Sequence, residues 1–321
     1  MAVYTSLSFE ESSDWFENTF DLGQVTDLVG ISGGIENTNY FLTAIKDNVS
    51  TQYVLTIFER LEHDQLPYYL HLMSHLSKQN IKVPTPFLNR QGDILQTLAN
   101  KPAVLVSKLE GSSHLEPNTA DCSAVGGMLA KMHLAGKSYP MSQENLRSLP
   151  WWRSTIQEIK PFIDHQKNAL LASELAMQVA FFQSPQYAAL PFGSCHCDLF
   201  RDNVLFLNND ELSGFFDFYF AGTDKWLFDV AVTANDWCID LNSGEINQDR
   251  LSSLLKAYQE IRPFTAEEVL SWGMMLRAAA LRFWISRLWD FYIPRNAQLL
   301  TPHDPYHFEK ILRLRIKDYA N

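Results

Sequence analysis

The pattern of hydrophobic and polar positions changes once along the chain, near residue 110. Before that point, apolar residues fall in short runs between polar turns. Such runs predict strands at 24–29, 39–43, 53–58 and 103–106, with a polar turn over 46–51 that joins the second and third strands as a hairpin. Between the hairpin and the last strand, residues 66–76 carry apolar side chains at helical spacing, so one helix is predicted there.

Beyond residue 110 the spacing is mostly helical. After Val125, apolar residues follow at three, four and seven positions (Met128, Leu129 and Met132). This spacing predicts an amphipathic helix that ends near Gly136. Further helices are predicted at 154–163 and 171–182 and over most of the chain after 226, with two short strands at 204–207 and 212–216. The sequence therefore predicts an α+β fold with two lobes, a small β-rich lobe over residues 1–107 and a larger α-rich lobe over residues 108–321.

Composition narrows the class of protein and of partner. The 321 residues are 46% hydrophobic and 20% charged, which suffices for a sizeable core and excludes collagen-like and disordered chains. Lys and Arg number 26 against 37 Asp and Glu, a formal charge of −11. We therefore expect no nucleic acid and no membrane partner, because an acidic surface repels both. A phosphate ligand would need a local site of backbone N–H groups, a few cations or a metal.

The cysteine spacing, the N-terminal residues and one apolar stretch indicate where in the cell the protein is expected. The four cysteines (Cys122, Cys195, Cys197 and Cys238) do not fit a zinc-binding spacing and are expected to be reduced thiols. Residues 1–10 lack the basic and apolar parts of a signal peptide. The apolar stretch 272–293 is interrupted by three arginines and an aspartate, which favours a buried helix over a membrane span. We expect a cytoplasmic protein whose oligomeric state the sequence leaves open, a homo-oligomer included.

One stretch of the sequence contains candidate catalytic and metal-binding residues. Residues 196–203 contain His-x-Asp-x4-Asn, and Asp217 follows the predicted hairpin of short strands. In phosphoryl transfer a protein mainly orients a hydroxyl and holds metal against phosphates. Asp198 can accept the hydroxyl proton, Asn203 can return to the same site, and Asp217 can complete a site for Mg²⁺, which prefers oxygen ligands. The alternative is a hydrogen-bonded loop without catalysis, and His196 is assigned mainly to that packing role.

This loop, the lobe order and the following aspartate resemble the protein-kinase-like phosphotransferases of small molecules, such as aminoglycoside phosphotransferases and choline kinases. Within that group the chain is similar to the homoserine kinases of the aminoglycoside-phosphotransferase-like type. The segments that carry this closer likeness are 33–40, 53–59, 231–238 and 282–287. The resemblance implies an ATP- and Mg²⁺-dependent kinase with a nucleotide-binding first lobe and a catalytic, acceptor-binding second lobe. It also implies phosphate contacts at Gly30, Gly33 and Gly34 and an Asp229 that braces the catalytic loop.

The chain departs from the kinase pattern at one position. Kinases of this fold place a lysine or arginine on the strand after the glycine segment, where it pairs with phosphates. Here that position holds Thr56, which carries no charge. Arg60 is a candidate substitute, because it would share the strand face of Thr56 if the strand continued that far.

The acceptor implied by the resemblance is L-homoserine, whose phosphorylation belongs to threonine biosynthesis. Asp236 could meet its ammonium group, and Arg282 or Arg287 could meet its carboxylate. Trp237 is a further candidate contact, although buried polar pairs and aromatic core would explain this region equally well. Other alcohols (choline, an aminoglycoside, methylthioribose or hydroxylysine) and a pseudokinase-like binding module without catalysis stay open as alternatives.

Overall fold

The computed structural model describes residues 5–31, 37–208, 210–293 and 304–319. The chain divides into two compact units between Glu110 and Gly111. The functional lobe boundary after residue 107 remains a prediction.

The first unit is built on a five-stranded antiparallel sheet with the strand order β1-β2-β3-β5-β4. Helix α1 precedes the sheet and α2 follows its third strand. The elements are α1 (Phe9–Thr19), β1 (Gln24–Gly30), β2 (Asn37–Lys46), β3 (Val49–Phe58), α2 (Pro67–Lys78), β4 (Gln96–Leu98) and β5 (Lys101–Ser107). The predicted strands and the predicted helix are confirmed, and α1 was not predicted.

The hairpin between β2 and β3 is tighter than the sequence predicted. Asp47 and Asn48 form its turn in the left-handed region, with φ of 52° and 62°, a conformation that aspartate and asparagine tolerate in two-residue hairpin turns. The predicted turn over 46–51 was therefore wrong in length. The polar residues after Asn48 belong to β3, where their side chains are exposed.

The two faces of this sheet differ in what covers them. Tyr40 and Leu42 of β2 and Leu55 of β3 pack in one cluster with Phe16 and other residues of α1. Because side chains alternate along a strand, the intervening residues lie on the opposite face. Thr56 therefore faces away from α1.

The second unit is mainly helical and carries two small two-stranded antiparallel sheets, β6-β9 and β7-β8. Its elements are α3 (Thr119–Gly136), α4 (Leu149–Ile159), α5 (His165–Phe182), α6 (Pro185–Ala188), β6 (Phe192–Cys195), β7 (Val204–Phe206), β8 (Leu212–Phe215), β9 (Gly222–Lys225), α7 (Trp226–Trp237), α8 (Gln248–Ile261), α9 (Ala266–Tyr292) and α10 (Pro305–Asp318). The predicted helices and the β7-β8 hairpin are confirmed. The pair β6-β9 was missed.

Close packing and capping fix the helices of the second unit. Helix α3 approaches α8 so closely that a Cβ on Gly126 would lie 2.2 Å from the carbonyl oxygen of Leu254. Helix α9 begins with a capping box, in which Thr265 and Glu268 exchange hydrogen bonds.

Helix α9 is the buried helix that the sequence predicted. Arg277 interrupts its apolar surface and pairs with Glu174 of α5 at 2.6 Å, both side chains being buried. No helix among the described residues is long and apolar enough to cross a membrane. The four cysteines are free and buried.

Candidate active site

The loop that joins β6 to β7 brings Asp198 and Asn203 together. Asn203 ends a 3-10 turn, Arg201–Asn203, and its side-chain nitrogen donates to the backbone carbonyl of Asp198 at 2.8 Å. The same nitrogen lies 3.4 Å from the Asp198 carboxylate. Among the described residues, the amide oxygen of Asn203 has no hydrogen-bond partner. The loop therefore uses the donor of the amide and leaves its acceptor available.

Asp217 is held next to this loop by its neighbour in sequence. It follows β8, and the Phe216 N–H donates to the Asn203 carbonyl at 3.1 Å. Asp217 itself has a left-handed backbone with φ of 62°, a conformation that costs a non-glycine residue about 1 kcal/mol or more. Such strain is typical of residues whose side chains are aimed at a functional site.

The electrostatics of Asp198 are set by burial and by its charged neighbours. Burial raises the pKa of Asp198 to about 8, the positive charge of Arg282 opposes the rise, and the charge of Asp217 adds to it. Repulsion between close carboxylates is relieved by a divalent cation. The Asp217 carboxylate and the unused oxygen of Asn203 are hard oxygen donors of the kind that Mg²⁺ takes, so these residues fit the predicted metal.

Asp229 on α7 holds the start of the loop. Its two carboxylate oxygens accept the backbone N–H groups of His196 and Cys197, each at 2.8 Å, and one of them lies 2.9 Å from His133 Nε2. Cys197 has a left-handed backbone with φ of 63°, so this part of the loop needs an external support. Although burial works in the opposite direction, the hydrogen bonds from His133 and from the His196 backbone hold the pKa of Asp229 below its ordinary value.

His196 links the loop to the segment that carries Asp217. The ring is fully buried, its Nε2 lies 2.9 Å from the Phe216 carbonyl, and it packs against Phe218 at 4.5 Å between centroids. Burial lowers the pKa of His196, so the neutral ring donates from Nε2.

His133, Cys195 and Asp229 offer donor atoms that lie within 4.8 Å of one another. The other ring nitrogen of His133 lies 2.7 Å from the Tyr258 hydroxyl, and Asp229 is occupied by backbone groups. Burial raises the pKa of the Cys195 thiol well above its ordinary value. A protonated thiol is a poor ligand, so this cluster is a hydrogen-bonded brace and not a metal centre.

The residues of the first unit that were considered for nucleotide binding differ in their positions relative to the strands. Gly30 ends β1, whereas Gly33 and Gly34 lie outside the described residues. Thr56 is 3% exposed and donates a hydrogen bond to Asn39 at 2.7 Å. Strand β3 ends at Phe58, so Arg60 lies beyond the strand and does not extend the face of Thr56, contrary to the expectation for a longer strand.

Lys101 does not replace the missing strand lysine. It lies at the start of β5 and pairs with Glu59 at 2.5 Å. Its strand register places it on the face of Ala103 and Leu105, which pack in the α1 cluster. Thr56 faces the other way.

Two of the four predicted acceptor residues are engaged inside the protein. The Asp236 carboxylate accepts the Arg201 N–H at 2.8 Å and the Arg201 Nε at 3.0 Å. Trp237 is fully buried and donates from Nε1 to the Leu199 carbonyl at 3.1 Å. Both residues therefore support the loop from α7, and the predicted contacts of Asp236 with an ammonium group and of Trp237 with the acceptor stay predictions.

The two predicted arginines of α9 lie in different surroundings. Arg282 Nη1 is 3.8 Å from Asp198 Oδ1, and its guanidinium carbon lies 3.8 Å from the ring centroid of Phe283. Arg287 lies over the ring of Phe308 and donates to the backbone carbonyl of Asp304 at 3.5 Å. Of these two arginines, Arg282 is the one for which the described residues show an ion pair with Asp198.

Comparison with known proteins agrees with this geometry. The profile of the phosphotransferase enzyme family matches residues 27–264. A homoserine kinase of Cupriavidus pinatubonensis is 58% identical over 319 residues, covering 98% of this chain and 96% of that protein. A homoserine kinase of Ralstonia nicotianae is 55% identical over 322 residues, covering 99% and 96%.

Solved structures show the fold. An amicoumacin kinase in complex with AMP-PNP and Ca²⁺ superposes with a TM-score of 0.71 at 15% identity, covering 97% of this chain and 93% of that one. A choline kinase of Streptococcus pneumoniae gives 0.61 at 14% identity, covering 93% and 94%. The predicted α+β kinase-like fold is thereby confirmed. The chain belongs to the phosphotransferase enzyme family and, within it, to the group of the homoserine kinases.

Proposed function

We propose that this protein transfers the γ-phosphoryl group of ATP to the hydroxyl of L-homoserine and releases ADP and O-phospho-L-homoserine. The arrangement of Asp198 with Asn203 and Asp217 supports the reaction type, because it joins a proton acceptor to oxygen ligands for a metal. The relatives named homoserine kinases support the acceptor.

In this proposal each residue of the loop has one task. Asp198 accepts the proton of the acceptor hydroxyl and orients its oxygen toward the phosphoryl group. Asn203 fixes Asp198 through its side-chain nitrogen, while its oxygen and the Asp217 carboxylate hold Mg²⁺. When bound, the metal neutralises charge on the transferred phosphate. Asp229 and His196 keep the loop in place and touch neither substrate.

The nucleotide contacts in this proposal come mainly from backbone. Gly30, Gly33 and Gly34 let backbone N–H groups approach the phosphates. Thr56 supplies no charge, so the metal and Arg60 are the candidates for neutralising them.

The experiment is an ADP-release assay of the full chain with ATP and Mg²⁺, in the presence and absence of L-homoserine. We expect ADP release that depends on homoserine and a phosphorylated amino acid in stoichiometric amount. Asp198→Asn is the matched control for contaminating kinases. Release of ADP without homoserine dependence would contradict the proposal.

We also propose the cytoplasm as the location, because the substrates ATP and homoserine are expected there and the four cysteines are free. A homo-oligomer remains a prediction. Light scattering of the purified chain would test it.

A further inference from the structure

Arg282 is buried without the hydrogen bonds that a buried arginine needs. Its side chain is 4% exposed, yet its guanidinium donates no hydrogen bond to any residue that the structure describes. Arginine carries five N–H donors, and leaving a buried charge without hydrogen bonds is costly. Such an arrangement is expected where a ligand completes the site.

The groups that surround Arg282 are two aromatic rings and the Asp198 carboxylate, and none of them accepts a hydrogen bond from its guanidinium. The Phe283 ring lies 3.8 Å from the guanidinium carbon and the Phe220 ring 5.4 Å, both measured to ring centroids. The Asp198 carboxylate, at 3.8 Å, is beyond hydrogen-bond distance. None of the guanidinium nitrogens belongs to the unpartnered atoms that are sealed from solvent. The guanidinium N–H groups are therefore largely shielded from water, which strengthens their attraction for an anion, and they are still accessible to a ligand.

Charges of both signs act on the Arg282 guanidinium. Burial lowers its pKa to about 10, the attraction of Asp198 opposes this, and the like charge of Arg147 adds to it. The charge of Asp290 also opposes the lowering, so the arginine stays protonated at neutral pH. The carboxylate of a ligand could accept the hydrogen bonds that Asp198, at 3.8 Å, does not accept.

We propose that Arg282 binds the carboxylate of the amino-acid acceptor and so determines specificity for homoserine. This inference rests on the proposed function. In an extended homoserine the hydroxyl oxygen and the carboxylate carbon are about 5 Å apart. Asp198 and Arg282 each reach about 2.8 Å to a partner, and their own atoms lie 3.8 Å apart. One homoserine can therefore contact both residues at once.

Arg287 has a different role, although the sequence presents the two arginines alike. Its guanidinium lies 4.5 Å from the ring centroid of Phe308 on α10 and donates to the carbonyl of Asp304, the residue that caps that helix. Arg287 therefore links α9 to the start of α10. Its guanidinium donates a hydrogen bond within the protein, whereas that of Arg282 donates none to the described residues.

The test compares two acceptors that differ only in the carboxylate. 3-Aminopropan-1-ol is homoserine without that group. Sites built around a polar substrate group reject analogues that lack it by on the order of 10⁴, so wild type should strongly prefer homoserine in kcat/KM. Arg282→Met should lower kcat/KM for homoserine by about 100-fold more than it lowers kcat/KM for 3-aminopropan-1-ol.

The ratio of the two acceptors separates this role from others. Loss of Arg282 also changes the electrostatics of Asp198, but that change acts on both acceptors and cancels in the ratio. Arg287→Met, a charge removed from the same helix, should leave the ratio unchanged whatever it does to kcat. The melting temperature and the Kd for ADP show whether each variant is folded. If Arg282→Met does not fold, Arg282→Lys serves instead, because it keeps the charge and removes the bidentate geometry.

Three results would overturn the inference. Equal losses on both acceptors would make Arg282 a partner of Asp198 alone. A wild-type enzyme that phosphorylates homoserine but does not prefer it to 3-aminopropan-1-ol would refute the inference and leave the proposed function intact. A wild-type enzyme inactive on homoserine but active on another alcohol would refute both.

Discussion

Asn203 donates its side-chain N–H to the backbone carbonyl of Asp198 at 2.8 Å, and this single contact determines which end of the amide faces the site. An amide has one donor end and one acceptor end. With the donor used inside the loop, the oxygen remains for a metal. The same hydrogen bond closes the loop behind Asp198, so one residue both positions the proton acceptor and offers a ligand.

Asp198→Asn should abolish most of the turnover and spare the fold. The amide is isosteric with the carboxylate but cannot accept the hydroxyl proton, and positioned acid–base groups contribute about 10² to 10⁴ in rate. We expect a fall in kcat of that size, with the Kd for ATP within about threefold of wild type. Steady-state kinetics and calorimetric titration with nucleotide measure the two quantities. Near-normal kcat would remove Asp198 from the mechanism.

Asp217→Ala should remove the dependence of ATP binding on Mg²⁺. A carboxylate ligand contributes more to a hard divalent cation than a neutral amide oxygen does, so Asn203→Ala should weaken the same dependence to a smaller degree. The measurement is the Kd for ATP across a series of Mg²⁺ concentrations, with EDTA as the metal-free reference. If Asp217→Ala binds ATP as tightly as wild type in excess Mg²⁺, the metal assignment fails.

Asp229→Asn should destabilise the whole second unit. Both carboxylate oxygens accept backbone N–H groups of the loop, and an amide would turn its NH₂ toward one of those donors. Disrupting a buried hydrogen-bonded charge costs about 3 to 5 kcal/mol, which should appear as a lower midpoint in urea denaturation. Asp14→Asn, a change at an exposed position of α1, is the control and should stay within about 0.5 kcal/mol. A loss of activity with unchanged stability would contradict the bracing role.

The two buried histidines should lower stability as the pH falls, whereas the carboxyl of Asp198, whose pKa burial raises to about 8, contributes in the opposite direction. Burial lowers the pKa of His133 and of His196, so below the unfolded value of about 6.5 these two side chains bind more protons in the unfolded chain than in the folded one. Their contribution to stability is present above that pH and is lost as the pH falls, by up to about 1.4 kcal/mol per pH unit for each histidine. Urea denaturation at pH 7, 6 and 5 measures the slope. His133→Gln should reduce it, and a slope equal to that of wild type would show that His133 is not held neutral.

How much of the site could be predicted depended on how far apart the contacting residues lie in the sequence. Asp198 and Asn203 are five residues apart, so their spacing alone indicated that one loop could join them. The pair of Arg201 with Asp236 spans 35 residues and that of His133 with Asp229 spans 96, and no periodicity records such contacts. The strand pair β6-β9 was missed because its residues, Phe192–Cys195 and Gly222–Lys225, include few β-branched or aromatic side chains. Their register is set by packing.

Acceptor selectivity should follow the charge of Arg282. Choline carries a fixed positive charge and no carboxylate, so a buried guanidinium beside the reacting hydroxyl repels it. L-Serine retains the carboxylate but is one methylene shorter than homoserine, which brings its hydroxyl closer to its carboxylate and prevents it from spanning Asp198 and Arg282 equally well. We expect kcat/KM to decrease from L-homoserine to L-serine to choline, measured at equal concentrations in the same ADP-release assay. A preference for choline would show that the aromatic side chains around Arg282 form a cation site, and would refute the amino-acid acceptor while leaving the kinase reaction in place.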